Sequence, residues 1–236
     1  GNYKVAHNIL LETHRDLSTR GFRVPQALRS AFLLLHSYLL VKKLVKMGDH
    51  VGAAFMLIRV AKNISKFPSH VVPILTSTVI ECQRAKMKRS SFEYASMLMR
   101  PEYRETVDPK FKRKIEAIVR KKGKGAVDVP EEMSPCPYTG VPIGVTELVC
   151  PKTKNAIPFC VVSGLHMVTA EWCECPNSKM PALYSKYQKY LETHSTDPVL
   201  GKPVKLSDLQ LVTDAAHIQE ALKKFIRIKK PVTVKQ

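Results

Sequence analysis

Half-complete metal-binding turns are the feature of this sequence that bears most directly on chemistry. A structural zinc ion takes four tetrahedral ligands, and Cys-x-x-Cys turns usually supply them two at a time. Residues 136–139, 150–153 and 175–178 each begin with Cys-Pro but carry Thr or Ser where the second cysteine would stand. Because a neutral hydroxyl cannot replace a thiolate on zinc, these turns predict a module that has lost part of its metal-binding chemistry.

The basic charge of the chain lies apart from its cysteines. The 236 residues carry 38 Lys and Arg against 20 Asp and Glu, a formal net charge of +18. Residues 1–124 hold 25 of the cations against 9 carboxylates, whereas residues 125–200, which contain five of the six cysteines, hold 5 against 8. A zinc finger that binds nucleic acid needs its Lys and Arg on the finger itself, because phosphate contacts supply most of the affinity. The segregation therefore argues against specific nucleic-acid binding.

A run of predicted helices precedes the cysteine module and must help to position it. Apolar residues at helical spacing, together with capping signals, predict helices over residues 27–45, 51–64, 69–85, 90–99, from 109 onward, and 214–227. Ser69 is the predicted N-cap of the third helix, residues 90–93 form a predicted capping box for the fourth, and Asp108 caps the fifth. Aligning Ala54 with Phe92 gives a period of 38 residues, which is typical of helical-repeat families.

The sequence therefore predicts a mainly α protein in three parts. Residues 1–125 are interpreted as an α-solenoid of tetratricopeptide-like (TPR-like) hairpins, with a plain helical bundle as the alternative. Residues 126–205 are rich in turn-forming residues and predict a small module of loops and short strands, and residues 206–236 predict a basic C-terminal helix and tail. The polar run 121–125 marks the first boundary. Because the chain starts at Gly1 without a methionine, we expect it to be a fragment of a longer protein.

Several long runs of this sequence resemble a known family. They are residues 36–42, 56–70, 72–82, 97–104 and 181–185, with Cys160, Gly164 and His166 between them. These runs resemble the C-terminal part of the WD-repeat and TPR core subunit of intraflagellar transport complex A. The resemblance is tightest over residues 30–120 and weaker over residues 135–190.

The resemblance implies a RING-like or zinc-ribbon-like module, in which the family carries complete Cys-Pro-x-Cys pairs. This sequence departs from that pattern, since three pairs have lost the second cysteine and residues 196–200 stand in place of a fourth pair without either. Two interpretations remain open. The module keeps its fold by hydrogen bonds and packing, as zinc-free U-box domains resemble RINGs, or it still gathers one structural zinc. The candidate zinc ligands are Cys160, His166, Cys173 and Cys175, with Cys136 and Cys150 as alternatives.

The function implied by the resemblance is that of a non-catalytic scaffold. Such a chain would mediate subunit assembly for retrograde ciliary transport and for entry of membrane proteins into cilia. Its partners would be other intraflagellar transport complex A subunits, the WD-repeat and TPR paralogues, and its location the cilium or flagellum and basal body on the cytoplasmic side. No catalytic or cofactor-binding residue is predicted, because no nucleophile elbow or Gly-rich phosphate loop is present.

Two alternative functions follow from particular segments. The cysteine module could act as a RING-type or U-box-type ubiquitin ligase, which docks a conjugating enzyme and needs no catalytic residue of its own. The C-terminal helix is expected to dock its apolar face on the cysteine module; that face consists of Ile218, Leu222, Phe225 and Ile226. Alternatively, the basic residues of this segment could bind an anionic membrane or an acidic protein surface. The cations of that segment are Lys223, Lys224, Arg227, Lys229 and Lys230.

Overall fold

The computed structural model describes residues 2–121, 127–167 and 171–226 and is mainly helical, which confirms the predicted class. The helices are α1 (Tyr3–Thr19), α2 (Gln26–Lys46), α3 (His50–Ala61), α4 (Val71–Arg84), α5 (Lys88–Leu98), α6 (Pro101–Arg104), α7 (Pro109–Arg120), α8 (Tyr184–Leu191) and α9 (Ala215–Lys223). The strands are β1 (Met133–Pro135), β2 (Pro142–Gly144), β3 (Trp172–Glu174) and β4 (Pro181–Leu183). β1 pairs with β2, and β3 pairs antiparallel with β4.

The chain divides into two compact units. The first, called the helical unit, holds the described residues of 1–8, 32–132 and 144–146. The second, called the hairpin unit, holds the described residues of 9–31, 133–143 and 147–236. The boundary predicted near residue 125 falls outside the described residues.

Several helices of the helical unit pack in chain order. α3 contacts α4, α4 contacts α5, and α5 contacts α7. Their shared core includes Leu75 and Val79 of α4, Ala95 and Leu98 of α5, and Ile115 of α7, all 1% exposed or less. The alanine between larger side chains lets α5 approach its neighbours closely, so that one continuous apolar core joins these helices.

Asp108 and Asp214 each cap the helix that follows them. The carboxylate of Asp108 accepts a hydrogen bond of 3.0 Å from the Lys110 amide at the start of α7, and Pro109 occupies the first helical position. The carboxylate of Asp214 accepts the amides of Ala216 and His217 at the start of α9. The predicted cap at Asp108 is thereby confirmed, because the carboxylate satisfies amides that lack a partner within the helix.

Two other predicted helix starts were wrong. Ser69 lies within a short 3₁₀ turn, Pro68–His70, and α4 begins after it without a side-chain cap. Residues 90–93 lie inside α5 and form no capping box, because α5 already begins at Lys88. The amides of Arg89 and Ser90 instead donate to the two carboxylate oxygens of Asp128 at 2.9 and 2.8 Å. Asp128, which is distant in sequence, thus accepts amides at the start of α5 that a local capping box was expected to satisfy.

A buried arginine fastens the segment 144–146 within the helical unit. Arg59 of α3 has no exposed surface, and its guanidinium donates to the Val145 carbonyl and to the Ser37 hydroxyl, each at 3.0 Å. Burial lowers the pKa of Arg59 to about 10, an effect that the Glu131 carboxylate opposes. Lys62 Nζ donates to the Thr146 hydroxyl beside it at 2.6 Å. Arg59 therefore remains charged at neutral pH, and its charge is compensated by hydrogen bonds.

Part of the basic C-terminal segment is described. Lys223 ends α9, and Lys224 follows it, whereas Arg227, Lys229 and Lys230 lie outside the described residues. Ile218 and Leu222 are the buried apolar residues of the face predicted for this helix.

Candidate functional site

Five turns of the hairpin unit share one backbone geometry. In each, the amide of the first residue donates to the carbonyl of the residue five positions later, and the amide of the fifth residue donates back to the carbonyl of the first. These ten hydrogen bonds measure 2.7–2.9 Å. The turns are named by their first residues: the Cys136, Cys150, Cys160, Cys175 and Asp197 turns.

Each turn closes a short antiparallel hairpin. The residues just before and just after the turn form a bridge, as Val149 does with Ala156 around the Cys150 turn. The same bridge surrounds the Cys160, Cys175 and Asp197 turns, and strands β1 and β2 flank the Cys136 turn. One local structure is therefore repeated five times within the described part of the unit.

The fifth position of every turn has a positive φ. The residues there are Gly140, Lys154, Gly164, Lys179 and Gly201, with φ between 57° and 77°. Glycine adopts this left-handed conformation without strain, whereas a residue with a side chain loses about 1–2 kcal/mol. Two of the five turns therefore tolerate a lysine where glycine is conformationally preferred.

The Cys136 and Cys150 turns lie together and join through their side chains. Thr139 Oγ1 lies 3.8 Å from Cys150 Sγ, and the Thr153 amide donates to the same sulfur at 3.4 Å. Burial raises the pKa of Cys150, but hydrogen bonds from Thr153, Cys136 and the Lys152 backbone outweigh it and lower the pKa to about 6. A sulfur that accepts several hydrogen bonds is stabilised as a thiolate. The hydroxyls predicted to stand for missing cysteines thus lie at the shared centre of the two turns.

The Cys175 and Asp197 turns are joined by a carboxylate. Asp197 is 1% exposed, and its Oδ1 accepts the amides of Val199 and Leu200 at 2.8 and 2.9 Å within its own turn. Its Oδ2 accepts the Ser178 amide from the Cys175 turn at 3.2 Å. The Asp197 carboxylate therefore acts as a buried anion that receives amides from both turns.

The remaining candidate cysteines are buried thiols. Cys160, Cys173 and Cys175 have no exposed surface, and Cys160 Sγ accepts the Leu183 amide at 3.2 Å. Burial and the neighbouring Cys160 raise the pKa of Cys173 to about 12. Burial and the Asp197 charge likewise raise the pKa of Cys175. Zinc binds the thiolate, so the environments of Cys173 and Cys175 disfavour the protonation state that a zinc ligand requires.

Both ring nitrogens of His166 are engaged in hydrogen bonds. Nδ1 lies 2.9 Å from the Ser134 hydroxyl, and Nε2 lies 2.9 Å from the Glu147 carbonyl. Because a carbonyl only accepts, Nε2 carries the proton and Nδ1 accepts from Ser134. His166 as placed therefore has no nitrogen lone pair to offer a metal and instead fastens two loop segments.

The candidate zinc ligands as placed do not fit a zinc ion. Among residues 2–121, 127–167 and 171–226, no three or more His, Cys, Asp or Glu side chains are grouped so that they could hold a metal. The six candidates divide between the paired Cys136 and Cys150 turns and the region of Cys160, Cys173 and Cys175, while His166 is occupied elsewhere. A zinc site at these residues stays a prediction.

The Cys160 turn was missed by the sequence analysis. Its cysteine is followed by Val161 rather than proline, so it lacks the Cys-Pro signal of the other cysteine turns. The signal that identifies it is Gly164 four positions on, at the place that Gly140 and Gly201 hold in their turns. The spacing to the positive-φ residue therefore defines these turns better than the proline does.

Comparisons with known proteins give relatives for nearly the whole chain. No family model matches it. It is 47% identical over 92% of its residues to WD repeat-containing protein 19 of Mus musculus and 46% identical over the same share to that of Homo sapiens. It is 39% identical over 80% of its residues to WD repeat-containing protein dyf-2 of Caenorhabditis elegans.

The chain spans only 16% of the length of the mouse and human relatives and 14% of the nematode one. None of the helices in the described part of the chain is both long enough and apolar enough to cross a membrane. With identities of 46–47% over 92% of its residues, the chain is a homologue of one part of WD repeat-containing protein 19.

Proposed function

We propose that this chain is a non-catalytic scaffold within a subunit of intraflagellar transport complex A. The observation that carries the proposal is the 47% identity to WD repeat-containing protein 19 over 92% of the chain. The proposed role is subunit assembly for retrograde ciliary transport and for entry of membrane proteins into cilia. Its proposed location is the cilium and basal body, on the cytoplasmic side, and its partners are other subunits of the complex.

The packing of the helical unit supports a scaffold role. Neighbouring helices α3, α4, α5 and α7 pack in chain order, as TPR-like hairpins do, and such arrays offer long surfaces to partner proteins. α7 buries Ile115 and exposes Arg113 and Lys114 on its outer side. A basic outer face of this kind favours a partner with an acidic surface.

The hairpin unit is proposed to be a zinc-ribbon-like module that is stabilised without a bound metal. Hydrogen bonds through Thr139 and Thr153 surround the Cys150 sulfur, and Asp197 joins the other pair of turns. These contacts connect turns that a zinc ion would otherwise bridge. The unit would then serve as a folded platform and not as a metal-dependent enzyme.

Charge reversal on α7 tests the scaffold proposal. We expect Arg113→Glu with Lys114→Glu, introduced into the whole subunit, to reduce co-purification of the other complex A subunits. The matched control is Lys186→Glu with Lys189→Glu, two exposed lysines on one helix of the hairpin unit. Equal recovery of the complex with both double variants would argue against the basic face of α7 as a docking surface. Undiminished recovery after deletion of residues 1–125, which removes most of the helical unit together with residues 9–31 of the hairpin unit, would overturn the scaffold role of these helices.

The non-catalytic part of the proposal is tested separately. The purified chain is incubated with ubiquitin, activating enzyme, ATP and a panel of conjugating enzymes. We expect no ubiquitin chains above the background of the same mixture without the protein. Chain formation that disappears in a Cys175→Ser variant would favour a ubiquitin ligase instead.

A further inference from the structure

The hairpin unit contains a pocket that none of the roles above uses. Its volume is about 320 Å³, which lies at the lower end of the range of small-ligand sites. The walls come from the second half of α1, the start of α2, the β3–β4 hairpin with the Cys175 turn, and the end of α9. All of these lining residues belong to the hairpin unit.

The pocket is lined by an excess of positive charge. Arg15, Arg29, Lys179 and Lys224 line it, and Glu174 is the one acidic side chain among the described lining residues. None of the four cations forms an ion pair with a carboxylate in the described parts of the chain. Four cations around one concave surface, none in an ion pair with a carboxylate of the described residues, attract an anion more strongly than the same charges spread over a flat surface.

Arg29 is held in place and partly withdrawn from water. Its Nε donates to the Val24 carbonyl at 3.2 Å, and its guanidinium carbon lies 4.5 Å from the centre of the Phe225 ring. Burial, with a contribution from Arg23, lowers the pKa of Arg29 to about 10, so the guanidinium is still charged at neutral pH. A partly desolvated guanidinium stacked on an aromatic ring is well suited to bidentate recognition of an oxyanion.

Trp172 forms a buried aromatic part of the pocket wall. It lines the pocket and is 2% exposed. A change in the occupancy of the pocket should therefore alter the environment of its ring.

Lys179 lines the pocket and has a positive φ, a backbone conformation that glycine adopts more easily. It is the fifth residue of the Cys175 turn, with φ of +57°, and three of the five turns have glycine at this position. The Cys175 turn thus places a cation at the pocket from a position where glycine would be less strained. Lys154 has the same position and a φ of +59° in the Cys150 turn but does not line the pocket.

We propose that this pocket binds the phosphate of a phosphorylated serine or threonine in a partner peptide. A phosphomonoester carries a charge of about −1.5 to −2 and three acceptor oxygens, which match the several cations that line the pocket. The apolar wall at Met180, Pro181 and Ala221 would receive a neighbouring side chain of the peptide. A peptide fits better than a membrane, because the half-buried Arg29 and the apolar wall lie in a concave site that one phosphorylated side chain can enter, whereas a lipid surface requires no concave site. This inference goes beyond the scaffold role and does not depend on it.

Tryptophan fluorescence provides a direct assay. Trp172 is the single tryptophan of the chain, so its emission reports on the pocket wall alone. The intact chain is titrated with a degenerate phosphoserine peptide pool, with the same pool unphosphorylated, with inorganic phosphate, and with phosphoinositide-containing vesicles. We expect a saturable change with the phosphorylated pool, a weaker one with inorganic phosphate, and none with the unphosphorylated pool.

Two matched variants assign the binding to the pocket. Lys179→Gly removes one cation while providing the residue best suited to a positive φ, so the turn should be retained. We expect it to weaken binding of the phosphorylated pool about tenfold, as for loss of one charge-assisted hydrogen bond. Lys154→Gly makes the same change in the Cys150 turn and should leave binding unchanged. Equal affinities of the two variants, equal binding of both peptide pools, or saturable binding by the vesicles alone would overturn the proposal.

Discussion

Restoring two cysteines should convert the Cys136 and Cys150 turns into a zinc site. In a tetrahedral site with Zn–S bonds of about 2.3 Å, neighbouring sulfurs lie about 3.8 Å apart. Thr139 Oγ1 already lies 3.8 Å from Cys150 Sγ, and the Thr153 amide donates to that sulfur. The double variant Thr139→Cys with Thr153→Cys therefore places two new thiols on turns whose backbones have the required shape, and we expect it to bind one zinc ion.

The expected gain in stability follows from mass action. At a free zinc concentration about 1,000 times Kd, binding to the folded state alone adds about 4 kcal/mol to the free energy of unfolding. For a chain of this size each kcal/mol shifts Tm by about 2–4 °C, so Tm should rise by about 8–16 °C. Thermal unfolding with zinc and with a chelator, together with elemental analysis, measures both quantities.

A matched control distinguishes the effect of the two added thiols from the effect of losing the two threonine hydroxyls. Thr139→Ala with Thr153→Ala removes the same two hydroxyls without supplying thiols, so it should bind no zinc and should be less stable than the natural sequence. A double-cysteine variant that folds, as judged by circular dichroism, yet contains no zinc would refute the inference that these turns retain metal-binding geometry.

Three further predictions concern the zinc content of the chain, the buried Arg59 and the half-buried His14. The natural chain should contain zinc at a ratio near zero by elemental analysis, and a stoichiometric content that Cys160→Ser abolishes would instead establish the zinc site predicted from the sequence. Arg59→Met should lower the free energy of unfolding by about 3–5 kcal/mol in urea denaturation, because it leaves the Glu131 charge and the Val145 carbonyl without their buried partner. Burial, with a contribution from Arg29, lowers the pKa of His14 to about 4, whereas the pKa in the unfolded chain is near 6.5. Below pH 6.5 the unfolded chain therefore takes up a proton that the folded chain does not, so the contribution of His14 to the free energy of unfolding is complete above pH 6.5 and is lost as the pH falls toward 4. His14→Gln should therefore flatten the dependence of Tm on pH in that interval, and identical profiles for both proteins would contradict this assignment.

The helix cap and the helix that the sequence predicted correctly depend only on residues that are neighbours along the chain. Asp108 lies beside the amide that it caps, and the apolar spacing of α3 is a property of one segment. The wrong cap at residues 90–93 has a different origin, because Asp128 reaches α5 from 38 residues away and supplies what the local motif was expected to supply. Local motifs compete with such distant partners, and only the folded chain decides between them.

In the candidate site, too, the features set by neighbouring residues were predicted and those set by distant residues were not. The hydroxyls at Thr139 and Thr153 were identified from the spacing of the turns, because a Cys-x-x-Cys pattern is local. The role of His166 could not be identified, since its partners Ser134 and Glu147 lie 32 and 19 residues away. Which candidate ligands face one another depends on how the turns pair in space, and spacing along the chain carries no information about that pairing.

The two pairs of turns show how an anion can hold the hairpin unit together where a metal would. In the Cys150 turn the sulfur accepts the Thr153 amide, and hydrogen bonds lower its pKa, so that thiolate character is maintained without zinc. In the Asp197 turn a carboxylate accepts the Val199 and Leu200 amides and reaches the Ser178 amide of the neighbouring turn. Both solutions keep a negative acceptor at the position that a zinc-bound thiolate would hold, and both satisfy amides that would otherwise be buried without partners. The backbone of these turns therefore requires an acceptor for its amides, and in both turns that acceptor comes from a side chain of the turn itself.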